Sequence, residues 1–242
     1  MSAASLLFAP GQRPRKDAVL ALAAGDGGFS VSLDPGGNAK GEASWLELLA
    51  SGLTFDLQGL APGASAPRPP MRHAYGVGEE PALLELEAIT LQPGPHLAGG
   101  HAMLPVIRCL AWLTARLAGL DGVKAVAWHP ARCWSAPDAF RTGVQRWIEG
   151  GPFPAFALAA LAPDLEQGLQ SEGLALLIGQ ELRIEPQVSD DRAAQGKLAV
   201  RAMHWLVEHG PLRAVQRVAS PDGETLIMEP SANGRFVRVR RE

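Results

Sequence analysis

The chain has 242 residues, 47% of them hydrophobic and 19% charged, with a net charge of −3. That supplies a core and argues against a disordered chain. It also argues against a dedicated nucleic-acid binder, which needs a basic surface to release counterions. The two cysteines, Cys109 and Cys133, are too few for a disulfide framework. Two buried free thiols in a reducing compartment are expected, with a single bridge between them as the alternative. The opening MSAASLLFAPGQRPRKD places its basic residues after its apolar stretch, so it does not read as a secretory signal. The most apolar long window, residues 97–120, contains His101, Arg108 and Arg116 and is amphipathic rather than membrane-spanning. The expected location is the cytoplasm, and lysine scarcity beside abundant Ala, Gly and Pro fits a GC-rich bacterial genome.

In chain order, SLLFA (residues 5–9) predicts a strand and RKDAVLALAA (15–24) a helix ended by Gly25-Asp26-Gly27-Gly28. FSVSL (29–33) alternates as a half-buried strand does, and a glycine-rich loop follows at 34–42. Ser44 with Glu47 reads as a capping box opening a short helix through Trp45, Leu48 and Leu49. LTFDL (53–57) is again a strand. The stretch 61–81 holds Pro62, Pro67, Pro69, Pro70 and Pro81, which suits neither helix nor central strand. It is the candidate boundary between residues 1–60, a βαβαβ-like part, and a main part from 82 to 242. LLELEAITL (83–91) predicts a strand, because Ile89 and Thr90 are β-branched and Pro93-Gly94-Pro95 follows.

Residues 99–151 are the centre of the chain and carry four of its six tryptophans. Met103, Ile107, Leu110, Leu113, Leu117 and Leu120 recur at helical spacing, with Arg108 and Arg116 on the other side. VKAVAW (123–128) predicts a buried strand. Ser135 is the expected N-cap of a helix running through Ile148, with Phe140, Val144 and Trp147 inward. FPAFALAAL (153–161) reads as a strand between prolines, and 174–178 with 181–184 as a hairpin or one bent strand. Asp190 or Asp191 caps a long helix to His209, and a terminal β-hairpin closes the chain. In RFVRVRRE, Arg238 and Arg240 share one strand face, which suggests a charged edge strand.

Chemistry is thinly signalled. His129 and Cys133, in WHPARCW between Trp128 and Trp134, follow a strand end, where a metal or a thiolate pair could be placed. A loop histidine beside a buried thiol is the plainer reading, since a zinc site needs further ligands. His96, Gly99, Gly100 and His101 precede the first long helix and form a candidate anion site, although PHLAGGH lacks a phosphate-loop ending. His204 and Glu208 lie i, i+4 and read as a solvated pair.

VKAVAWHPARCWSAPDAFRTG and GLALLIGQELRIEPQVSDDRAAQGKLAVRAMHWLVEHG resemble the bacterial domain-of-unknown-function family numbered 4261. The residues carrying the likeness are Trp128, Ser135, Phe140, and Gly173-Leu174 through Glu181-Leu182, over about 83–242. That resemblance implies a fold and brings no activity. Together these readings predict one compact α+β domain over 1–242, a mixed or antiparallel sheet covered by two long helices, with two ferredoxin-like βαβ halves as a variant. They predict a non-enzymatic interaction or ligand-binding module, for a protein partner or small ligand, and a homodimer is compatible. The expectation includes no cofactor, no metal, no nucleic acid and no membrane. The alternatives are an enzyme with a metal or thiolate site at His129/Cys133, and an immunity or regulatory protein acting through one partner.

Overall fold

The computed structural model describes residues 3–26, 28–36, 44–77, 85–219, 223 and 225–242. Most of the glycine-rich loop at 34–42, the residues 78–84 and the Pro221-Asp222 turn lie outside them. The protein is α+β and contains two mixed sheets, one in each of two units, Met1–Gly151 and Pro152–Glu242. Among the described residues, no helix is long and apolar enough to cross a membrane.

In the first unit the elements are β1 (Ala4–Phe8), α1 (Lys16–Asp26), β2 (Ser30–Leu33), β3 (Trp45–Ala50), β4 (Leu53–Gln58), β5 (His73–Tyr75), β6 (Glu87–Pro93), α2 (Leu104–Leu117), β7 (Val123–Trp128), β8 (Cys133–Ser135) and α3 (Pro137–Ile148). The strand order is β2-β3-β4-β6-β1-β7-β8-β5. β1 lies antiparallel between β6 and β7 and is buried along its whole length, which is why ASLLF shows no polar alternation beyond Ser5. α2 packs on β1 and β6 with Ile107, Leu110, Leu113 and Leu117 inward, and α3 packs on α2 and β7.

Residues 45–50, expected as a capped helix, form strand β3 instead. Ser51 and Gly52 both have positive φ, 50° and 76°, and close a two-residue hairpin that pairs Ala50 with Leu53. Such a turn matches the twist of flanking strands, so its hairpin outcompetes one local cap. Leu46, Leu48 and Ala50 then face inward. Ser135 ends β8, and the N-cap of α3 is Ala136.

The proline-rich stretch is sewn into this unit. Arg13 donates to the carbonyl oxygens of Gly59 and Gly63 and pairs with Glu87 at 2.8 Å. The Ala66 N–H donates to Ala88 O at 2.9 Å, and β5 runs parallel to β8. Met71 is buried against Leu7, Ala88 and Trp134. Pro62, Pro67, Pro69 and Pro70 keep the residues before β5 out of helix and strand without preventing side-chain burial, and the division by contacts falls at Gly151.

The second unit comprises α4 (Ala155–Leu158), β9 (Ala160–Pro163), β10 (Leu169–Glu172), α5 (Ala175–Ile178), β11 (Glu181–Ile184), α6 (Arg192–His209), β12 (Gln216–Ala219), β13 (Thr225–Pro230) and β14 (Phe236–Arg241). Its strand order is β12-β13-β14-β11-β10-β9, with β11 and β14 parallel. The two long helices are therefore not on one sheet: α2 packs on the first and α6 on β10 and β11 of the second. Nor is there a ferredoxin-like βαβ half in the first sheet, because β1 is antiparallel to both neighbours.

Two short runs read as strand are single helical turns. α4 precedes β9 in the alanine-rich 153–161, and α5 occupies 175–178. α5 is held by a side chain from outside it. The Glu181 carboxylate accepts from the N–H groups of Gly173 at 2.9 Å, Leu174 at 3.2 Å and Ala175 at 3.1 Å, and from Ser171 Oγ. Gly179, with φ 77°, ends the turn. The GLALLIGQEL motif is thus a structural clamp. α6 begins as expected, with Asp191 Oδ1 accepting from the Ala193 N–H at 2.8 Å. β14 is not an edge strand: it lies between β13 and β11, with Val237 and Val239 buried and Arg238 and Arg240 outward.

Candidate functional site

The structure brings Trp128, His129, Cys133 and Trp134 together around the β7–β8 connection. Trp128 pairs with Cys133 in register, and Trp128, Cys133 and Trp134 are all at most 2% exposed. The Trp128 ring lies 6.4 Å from Phe140, and Trp134 belongs to the cluster with Leu7 and Met71. His129 Nε2 shares a 2.8 Å hydrogen bond with Ser5 Oγ, which bonds Thr90 Oγ1 at 2.7 Å. This polar chain links β6, β1 and the turn that follows β7. Burial pushes His129 down to about 4, so the ring is neutral at physiological pH. Cys133 Sγ donates to Trp134 O at 3.2 Å, and burial pushes the thiol up to about 12. Cys109, on α2, is pushed up to about 11 by the same cause. Both stay protonated, whereas nucleophilic thiols need a lowered value. Among the described residues no three His, Cys, Asp or Glu side chains gather as a metal site.

The residues ahead of α2 are engaged locally. His96 reaches Thr54 Oγ1 on β4 at 3.3 Å, whereas His101 Nδ1 bonds Ala98 O at 2.7 Å. The Gly100 N–H donates to Leu97 O, and Gly99 has open space where a side chain would stand. The two histidines are thus drawn to different partners. His204 Nδ1 accepts from the Phe153 N–H at 3.2 Å, and its Nε2 lies 3.6 Å from Glu208.

A different surface has the makings of a site. Arg108, Trp112 and Arg116 lie at i, i+4 and i+8 along α2, one stripe of the helix. On one side of Trp112 is a cleft of about 260 Å³, walled by Arg116 from α2, by Arg141, Gln145 and Ile148 from α3, and by Glu149. On the other side is a shallower apolar cleft of about 480 Å³, walled by Leu53, Leu104, Pro105, Arg108 and Cys109. Trp112 and Ile148 line both. Arg108 is committed to the fold: its guanidinium stands 4.5 Å over the Trp147 ring and donates to Trp147 O and Ile148 O. Arg141 pairs loosely with Asp138 at 3.5 Å, with both side chains exposed. Gly28 has φ 93°, and a Cβ there would stand 2.8 Å from the Trp112 ring, so the glycine lets the backbone lie against the indole.

None of these wall residues is a site candidate in the sequence. The signal was nevertheless present: Arg108 and Arg116 fall on the outward side of α2, with a tryptophan between them. An indole on a polar face marks a surface worth testing for ligand. Compared with family models, curated proteins and solved structures, the chain matches none.

Proposed function

We propose that the protein is a non-enzymatic binding protein that holds a small organic anion in the cleft between α2 and α3. The observation that carries this reading is that Arg116 and Arg141, from two helices, line one cleft together with Trp112 and Ile148. Guanidinium groups recognise carboxylates through charge-assisted, directional hydrogen bonds, and an indole face supplies apolar contact. The volume of about 260 Å³ lies near the lower end of small-molecule sites, which favours a ligand of modest size. The protonated Cys133 thiol and the neutral, hydrogen-bonded His129 support binding over covalent catalysis at the β7–β8 loop.

Isothermal titration with benzoate at low ionic strength tests the reading. Saturable binding at one site per chain is expected, with Arg141→Gln weakening it about tenfold, as loss of a charged hydrogen bond would. Absence of saturable binding by benzoate, acetate and phosphate alike would overturn it.

A further inference from the structure

Resting on that reading, we infer that the ligand is an amphipathic monocarboxylate, its head between Arg116 and Arg141 and its acyl chain running past Trp112 into the apolar cleft. Trp112 and Ile148 line both clefts, so a molecule extending from one to the other would keep these two side chains as apolar contacts. The second cleft offers Leu53, Leu104 and Pro105, and Leu104 is 36% exposed although apolar. Eight residues of helix separate Arg108 from Arg116, about 12 Å of rise, which matches an acyl chain of about eight to ten carbons. The charges select the head. Glu149, on the wall of the first cleft, repels a dianion such as a phosphate monoester more than a single carboxylate. A single negative charge with an apolar tail fits both halves.

The test is a titration of the full chain with acetate, hexanoate and decanoate below micellar concentration, beside decanol, decyltrimethylammonium and anionic phospholipid vesicles. Affinity should rise about twofold to fourfold per added methylene, as partial burial of each group implies. Leu104→Ser, at an exposed position of the first helical turn, should flatten that dependence by weakening decanoate far more than acetate. Arg141→Gln should weaken all three carboxylates by a similar factor. Carboxylate binding without chain-length dependence would overturn this inference while leaving the small-anion reading standing. No binding by any carboxylate would overturn both. Equal binding of the cationic amphiphile, or binding to vesicles but not to monomeric decanoate, would overturn the assignment of the head or of the free ligand.

Discussion

Lowering the pH from 7.5 to 4.5 should destabilise the first unit through His129. The folded ring titrates near 4 because burial penalises its charged form, whereas the unfolded chain takes its proton near 6.5. Between those values the unfolded state binds more protons, so the stabilising effect of the neutral ring is complete above 6.5 and is lost as pH falls toward 4. One pKa unit corresponds to about 1.4 kcal/mol, so the span from 6.5 to 4 is worth at most about 3.5 kcal/mol, and partial exposure of the ring makes about 2 kcal/mol the better expectation. Urea unfolding followed by tryptophan fluorescence reads mainly this unit, since Trp45, Trp112, Trp128, Trp134 and Trp147 all lie in it. The comparison is with His129→Gln, which keeps a polar group beside Ser5 and does not titrate. The variant should start less stable by about 1 kcal/mol, the usual net worth of a hydrogen bond, and should lose less on acidification. Equal slopes for the two proteins between pH 6.5 and 4.5 would refute the assignment of a buried neutral histidine.

Glu181→Gln should cost the second unit about 2–3 kcal/mol, because an amide cannot accept from three N–H groups and a hydroxyl as a carboxylate does. Trp205, the tryptophan of that unit, should report the lowered thermal midpoint, and an unchanged midpoint would contradict the clamp. Gly28→Ala combines positive φ with a Cβ 2.8 Å from the Trp112 ring. It should cost about 1–2 kcal/mol in unfolding free energy and shift the Trp112 indole resonance, whereas an unshifted resonance would contradict the contact. Cys109 and Cys133, both pushed up by burial, should resist iodoacetamide at pH 7.5 in the native protein and react in urea, read by mass spectrometry. Rapid native labelling of either thiol would argue for an open, activated site.

What the sequence makes legible is local. The 3.6-residue spacing of α2, the Asp191 cap of α6 and the alternation in β2, β4 and β14 each depend on neighbours within a few residues. β3 escaped because Ser44 and Glu47 satisfy a capping pattern while the deciding feature, the Ser51-Gly52 turn, lies just beyond it. α5 escaped because the carboxylate that satisfies its first N–H groups comes from Glu181 on the next strand. The partition into two sheets depends on pairings such as Leu6 with Ile89 and Val126, which no periodicity reveals. The same limit applies to the site. WHPARCW reads as following a strand end and β7 does end at Trp128, yet a run buried on both faces carries no mark of which side chains reach solvent. Arg108, Trp112 and Arg116 were legible as an outward stripe of α2. Their complement on α3, Arg141 and Gln145, becomes a partner only when the two helices pack.

The most direct test of small-anion binding between α2 and α3 is side-chain NMR of the protein titrated with benzoate. The account predicts that the Nε–H resonances of Arg116 and Arg141 and the indole N–H of Trp112 move together with one dissociation constant, while the indoles of Trp128 and Trp134 stay still. Movement of the Trp128 and Trp134 indoles with Arg116, Arg141 and Trp112 unmoved would contradict it and return the site to the β7–β8 loop.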